Sequence, residues 1–210
     1  MVMMKSLAII GASGHGKVVA EIAELTGWDN VCFFDDAYPS LKSVGVWKVC
    51  GKSSDLFAEP ARYTAGIVAI GDNGIRLEKT KKMQSQRMEL ATLIHPASTV
   101  SQYANIEEGS VVMAGAVINP FVTVGRASIV NTSCSIDHDC FIGEAVHISP
   151  GVNVAGGVSI GRLSWLGIGA TVKQGVDIGC SVMVGAGAVV VNDIPRDCVV
   201  KGVPAKQEGH

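Results

Sequence analysis

The sequence predicts a two-part fold. Residues 1–95 read as a small Rossmann-like parallel α/β sheet, and residues 96–210 as a left-handed parallel β-helix of hexapeptide repeats. Three observations predict it. An aliphatic residue recurs at every sixth position across the second half. A Gly-rich turn sits between an apolar run and a helical run near the start. His95-Pro96 separates the two patterns, since Pro interrupts regular pairing.

The first half opens with "KSLAII", a strand, then the loop Gly11-Ala12-Ser13-Gly14-His15-Gly16. "KVVAEIAEL" reads as a helix, and "VCFFDD" as a second strand ending in Asp35-Asp36. Further on, "AGIVAI" is a strand, "GDNGIR" a helix start, "LEKTKKMQSQR" a basic helix and "LATLI" a short strand. Strands alternating with helices imply a parallel sheet of about four strands.

The second half carries the series Val100, Ile106, Val112, Ile118, Val124, Val130, Ile136, Ile142, Ile148, Val154, Ile160, Leu166, Val172, Ile178, Val184 and Val190 without a break. No α-helix has a period of six. A hexapeptide supplies one short strand and one tight turn, and three of them close a triangular coil. The aliphatic residue points inward. A small or β-branched residue four positions on, from Ala104 to Ala188, fits the corner. Gly125, Gly143, Gly161, Gly167, Gly179 and Gly185 follow the aliphatic residue and supply turn conformations. With strands ~4.8 Å apart, about five coils stand roughly 25 Å tall. The repeat has no insertion, so no long loop leaves the prism.

Composition narrows the function. Of 210 residues, 48% are hydrophobic and 17% charged, with a net charge of −2, so a core is affordable and the basic surplus of a nucleic-acid binder is missing. No stretch of about 20 apolar residues predicts a membrane span. "MVMMKSLAII" lacks the long apolar region and cleavage site of a signal peptide. The six cysteines form no CxxC pair, so a zinc site is not expected, and a cytoplasmic protein with reduced thiols is the simplest reading.

The Gly-rich loop lies where backbone N–H groups at a helix N-terminus cradle a diphosphate. Asp35 and Asp36, about 20 residues on, stand where a carboxylate binds ribose hydroxyls. The spacing GxxGxG departs from GxGxxG, and the domain is small. A sugar nucleotide fits this half-site better than a nicotinamide dinucleotide, with His15 reaching the diphosphate or the sugar.

The stretch "NTSCSIDHDC" at 131–140 places His138 between Asp137 and Asp139. Neutral imidazole, with an ordinary pKa of ~6.5, takes a proton at neutral pH, and a carboxylate on its other nitrogen fixes the tautomer and raises basicity. Either acid can serve as that partner. One coil is 18 residues, so Gly156 stacks on His138, where a bare N–H can receive a developing oxyanion. Cys134 and Cys140 occupy small-residue positions and read as packing. His95 and His210 read as structural or terminal.

"GASGHGKVV" and "FFDD" followed by an unbroken prism resemble the NeuD/PglD family of sugar acetyltransferases, as do "IGDNGIR" at 70–76, "HISPG" at 147–151 and "GVPAK" at 202–206. The resemblance spans nearly the whole chain and is strongest to PglD-type enzymes. These use acetyl-CoA to acetylate the 4-amino group of a UDP-linked 2-acetamido-4-amino-trideoxyhexose, of the bacillosamine type, for protein glycosylation or capsule. The resemblance implies His138 as base, with Asp139 behind it where relatives carry Glu. It implies Ser13, Gly14, His15, Asp35, Asp36 and Gly71 at the UDP-sugar, and Asn131 in the acceptor pocket. It implies His147, Gly156, Ile168 and Ala186 at acetyl-CoA, in a homotrimer whose cofactor groove lies between neighbouring prisms.

Two other readings compete. One is an O-acetyltransferase acting on sialic acid or a similar sugar. The other is a non-catalytic scaffold or metal-binding prism. The metal reading needs three histidines on adjacent faces, and only His138 and His147 lie within the repeat.

Overall fold

The structure is a computed structural model that describes residues 4–207. It divides into two compact units, the first ending at Pro96 and the second beginning at Ala97.

The first unit is a five-stranded sheet covered on both faces. Its elements are β1 (Ser6–Ile10), α1 (Gly14–Leu25), β2 (Asn30–Phe34), β3 (Ser43–Val44), β4 (Trp47–Gly51), α2 (Ser53–Ala58), β5 (Ala65–Val68) and α3 (Asn73–Ser85). The strand order is β3-β4-β2-β1-β5, parallel except for the antiparallel β3–β4 pair. Leu7, Ala8, Ile9 and Ile10 are all buried, as a strand covered on both faces requires. Ala8, Ile10, Phe34 and Val68 share a cluster with Leu56 of α2 and Met83 of α3. On the other face α1 lies against Phe33, so closely that a Cβ on Gly16 would stand 2.9 Å from the Phe33 ring.

The β3–β4 hairpin and α2 lie in a stretch whose sequence pattern is too short and mixed to announce them. The expectation of six reduced thiols is corrected here. Pairing of β2 with β4 sets Cys32 and Cys50 side by side, Cα atoms 6.3 Å apart, and their sulfurs are bonded. Cys134, Cys140, Cys180 and Cys198 are free.

The second unit is the expected parallel β-helix. Two-residue strands stack in three ladders with a register of 18, as in Val117↔Ser135↔Asn153↔Thr171↔Val189. The inward residues from Val112 to Val190 are at most 3% exposed, whereas Val100 and Ile106 in the first coil are only half-buried. Each full burial of a Val or Ile contributes about 1.5–3 kcal/mol, so the stacked column is the main source of cohesion. The last coil is shorter: Val184 pairs with Val200, and Lys206–Gln207 closes antiparallel on Val199–Lys201.

Two details of the repeat differ from the sequence reading. Left-handed backbone falls three residues after each aliphatic residue, at every sixth position from Gly109 to Gly187, and includes Phe121, Ser133 and Asp139. The glycines directly after the aliphatic residue have another purpose. A Cβ on Gly143 would stand 2.6 Å from Arg162 N on the next coil, so these glycines let coils approach. The small residues four positions on point inward rather than forming the corner. Ser128 is one of them, and its hydroxyl donates to Gly143 O at 3.0 Å.

Candidate active site

The corner through residues 138 and 139 gathers the prism's acid–base groups. Asp139 adopts φ +59°, a conformation Asp tolerates better than most residues, and its Oδ2 lies 2.7 Å from His138 Nδ1. Asp137 faces elsewhere. Its Oδ1 accepts the His138 backbone N–H at 2.8 Å and Asn119 Nδ2 at 2.7 Å, so it fixes the turn rather than the ring. The hydrogen bond to Asp139, then the charge of Asp137, raises the His138 pKa above its ordinary value. The imidazole is 60% exposed and stays open to a ligand.

Gly156 lies one coil on, under the ring. A Cβ there would stand 2.7 Å from His138 Cε1 and 2.8 Å from Nε2. The neighbouring backbone groups are spoken for: Gly157 N donates to His138 O and Gly175 N to Gly156 O. The Gly156 N–H donates to no acceptor among the described residues. Above it, Cβ atoms on Gly157 or Gly175 would meet nothing within 4 Å, leaving an open track along this corner.

The other prism positions cluster elsewhere. Asn131 Nδ2 lies 3.3 Å from His147 Nε2, so the two residues assigned to different ligands touch each other. The His147 ring stacks on Trp165, centroids 4.9 Å apart, and Trp165 Nε1 donates to Ser149 Oγ at 2.7 Å. Ile168 and Ala186 are exposed at successive levels of one corner, where Gly187 N donates to Ile168 O. That corner (residues 132, 150, 168, 186) is separated from the His138 corner by the face bearing Ser135, Asn153 and Thr171. Cys134 and Cys140 are buried, and burial pushes the Cys134 thiol up to about 11, so neither is a nucleophile at neutral pH.

In the first unit, β1 and β5 are neighbours whose following loops lead to helices serving opposite directions along the sheet. Their carboxyl ends define a topological switch point, where open α/β sheets bind ligands. Ser13 caps α1 without using its hydroxyl on the helix, and the first turn holds no acidic residue, so the helix N-terminus is open to an anion. Cβ atoms on Gly14 or Gly71 would meet nothing within 4 Å. His15 is half-buried, its Nε2 shut from solvent with no hydrogen-bond partner. Burial, and then the Arg76 guanidinium, lowers its pKa to about 4.

Asp35 and Asp36 have protein partners of their own. Asp35 Oδ2 accepts Ala12 N–H at 2.8 Å and its Oδ1 accepts Ala37 N–H, pinning the Gly-rich loop. Asp36 Oδ1 accepts Ser53 N–H, and its Oδ2 pairs with Lys79 Nζ at 3.2 Å.

Sequence reasoning missed two features beside these sites. Buried Arg76, bonded to Ile70, Gly71 and Asn73 where β5 leads into α3, is one. The other is an exposed stack of Tyr103 on Phe121, centroids 5.7 Å apart, one and two coils from Asp139. The 18-residue spacing 103–121–139 was the available signal. Among the described residues no group of three or more His, Cys, Asp or Glu could hold a metal ion, and no helix is long and apolar enough to cross a membrane.

This combination defines a hexapeptide-prism protein with a Rossmann-like α/β unit ahead of the prism. Comparison with known proteins agrees. Residues 6–83 match the family model of the PglD N-terminal domain. The acetyltransferase domain of PglB from Neisseria gonorrhoeae FA1090, solved with acetyl coenzyme A, is 41% identical with a TM-score of 0.94, over 98% of this chain and 100% of that one. PerB from Caulobacter crescentus, solved with CoA and GDP-perosamine, is 38% identical with a TM-score of 0.92, over 99% of each chain. UDP-N-acetylbacillosamine N-acetyltransferase of Bacillus subtilis (strain 168) is 32% identical over 115 residues, which are 53% of this chain and 52% of that protein, so the match spans about half of that curated relative. The chain belongs to the NeuD/PglD family of sugar acyltransferases.

Proposed function

We propose that the protein is an acetyl-CoA-dependent N-acetyltransferase acting on the 4-amino group of a nucleotide-linked amino sugar, a UDP-linked 2-acetamido-4-amino-trideoxyhexose. The observation that carries the reading is the assembly of His138, Asp139 and Gly156. It presents a basic imidazole beside an unused backbone N–H, the two groups that amine acylation needs. The relatives extend it: one is named for a UDP sugar, and another is solved with a GDP amino sugar and CoA.

Neutral amine attacks the thioester carbonyl. His138 Nε2 takes the proton lost by nitrogen, while Asp139 on Nδ1 stabilises the imidazolium. Gly156 N–H receives the oxyanion, and losing such a donor typically costs ~3 kcal/mol. As the C–S bond breaks, His138 returns the proton to the departing thiolate, giving amide and free CoA thiol. No covalent enzyme intermediate is needed, because the thioester is already activated. Ser13, Gly14, His15 and Gly71 hold the nucleotide diphosphate and sugar. Asp35 supports their loop from behind through Ala12 N–H, and Asp36 ties the end of β2 to α2 and α3 through Ser53 and Lys79.

The assembly is a homotrimer. His147, Ile168 and Ala186 surround a different corner from His138 and Gly156. A neighbouring prism would bring one protomer's acid–base corner against the other's cofactor corner, with Asn131 beside His147.

The test is a panel of UDP- and GDP-linked 4-amino sugars, together with free sialic acid, assayed with acetyl-CoA for thiol release. Turnover should be confined to a nucleotide-linked amine. Turnover of the free hydroxyl sugar alone would overturn the reading in favour of O-acetylation.

A further inference from the structure

Arg76 is 1% exposed and the bulkiest fully buried side chain among the described residues. It sits on the face of α3 that also buries Leu77, Thr80 and Met83, where an aliphatic side chain would pack at no electrostatic cost. Taking a guanidinium out of water costs several kcal/mol unless its donors are met. Burial lowers its pKa to about 10, so it stays charged at neutral pH. The charge therefore needs a reason.

The hydrogen bonds supply one. Arg76 Nη1 donates to Ile70 O at 2.9 Å and to Gly71 O at 3.0 Å, and its Nη2 to Asn73 Oδ1 at 2.7 Å. Two of these acceptors belong to the short loop between β5 and α3, and the third, Asn73, opens α3. Two consecutive carbonyls of that loop are thus turned onto one planar fork. In a trans peptide the C=O and N–H point in opposite directions. Turning Ile70 O and Gly71 O onto Arg76 turns the N–H groups of Gly71 and Asp72 away from it. Neither N–H donates to any acceptor among the described residues. This loop stands against the Gly-rich loop: a Cβ on Gly11 would meet Ala69 O at 2.7 Å and the Ile70 side chain at 2.9 Å.

We propose that Arg76 is a positioning residue for the acceptor nucleotide, holding the β5–α3 loop so that the N–H groups of Gly71 and Asp72 face the diphosphate across the crevice from Ser13 and Gly14. This rests on the acceptor reading of the crevice above. Arg76 touches no ligand. It shapes a two-donor cradle that the loop would not hold alone, and a Lys cannot replace it, because a single ammonium lacks the fork that reaches three acceptors.

Calorimetry on the full chain tests it, with UDP and GDP as probes and CoA as the control. Arg76→Met and Arg76→Lys should each weaken the nucleotide that the natural protein binds by about ten- to a hundred-fold, the scale of one or two lost hydrogen bonds to charged oxygens. CoA affinity should stay within two-fold of its natural value. Unchanged nucleotide affinity in Arg76→Met overturns the role, as does full affinity in Arg76→Lys, which would show that charge alone suffices. Parallel loss of CoA binding overturns it too, as general damage. Should the variants not fold, amide NMR of the natural chain decides: nucleotide must shift the Gly71 and Asp72 N–H signals, and stationary signals under saturating nucleotide sink the proposal. A natural protein that binds neither UDP nor GDP removes the acceptor reading itself, separately from any result on Arg76.

Discussion

A Cβ placed on Gly156 would stand 2.7 Å from Cε1 of His138, one coil away along the prism. The imidazole therefore occupies the volume that any other residue at 156 would fill. Gly156 is absent from the left-handed positions, so alanine meets no backbone obstacle there, only the ring. Gly156→Ala should keep the prism's thermal stability while displacing His138. A shift of about 1 Å in a catalytic group costs on the order of 10²-fold. A kcat within three-fold of the natural protein would show that the ring does not work from this position.

His138 and its two acids should separate by rate and by pH. His138→Ala should lower kcat by 10²–10⁴-fold, the usual range for a general base, with CoA binding little changed. A base must be neutral, so activity is lost as pH falls through its pKa. Asp139 raises that pKa, placing the acid limb of the profile above ~6.5. Asp139→Asn should lower the rate less than His138→Ala and move the limb to lower pH. Asp137→Asn, which loosens the turn through the His138 N–H, should cost less again. If Asp137→Asn moved the limb further than Asp139→Asn, the pairing seen in the structure would not be the working one.

His15 should behave in the opposite way. Its folded pKa is about 4, below the ordinary value of 6.5, so the folded state prefers it neutral. Its contribution to stability is present above 6.5 and is lost as pH falls from about 6.5 towards 4. Histidine NMR should show one ring that does not titrate between pH 8 and 5.5, assigned to His15 by its absence in His15→Gln. The same variant should flatten the acid loss of thermal stability in that window. A His15 signal titrating near 6.5 would mean that the ring is solvated and free of Arg76.

Much of this was legible because the prism is one-dimensional. A period of six with inward residues at Ile136, Ile142 and Ile148 admits one geometry, and adding 18 to 138 finds Gly156 without coordinates. The acid partner was not legible. Asp137 and Asp139 are equivalent neighbours in sequence, and only the left-handed turn at Asp139 aims that carboxylate at the ring. The roles of the repeat's glycines were misread because sequence cannot tell a glycine needed for φ from one needed for clearance, as at Gly143. Arg76 stood in the motif "IGDNGIR" at a helix start, just ahead of a basic run, where an Arg looks solvated and nothing in the pattern says it is buried. The β3–β4 hairpin is two residues wide on one side, below any periodic signal, and with it the Cys32–Cys50 pair was out of reach.

Within one prism, His138 and Gly156 lie at one corner and Ile168 and Ala186 at another, with a whole face between them. One acetyl-CoA cannot put its thioester at the first and its arm along the second unless two prisms share it. Light scattering should therefore give three times the chain mass of 21.8 kDa. Complementation goes further. His138→Ala should be inactive for want of a base, and Ala186→Trp for a blocked track. Refolded together, they should form mixed trimers in which some interfaces join an intact His138 corner to an intact Ala186 corner, and activity should return. A site within one protomer would give no recovery in the mixture, and an active monomer would sink both the trimer and the shared site.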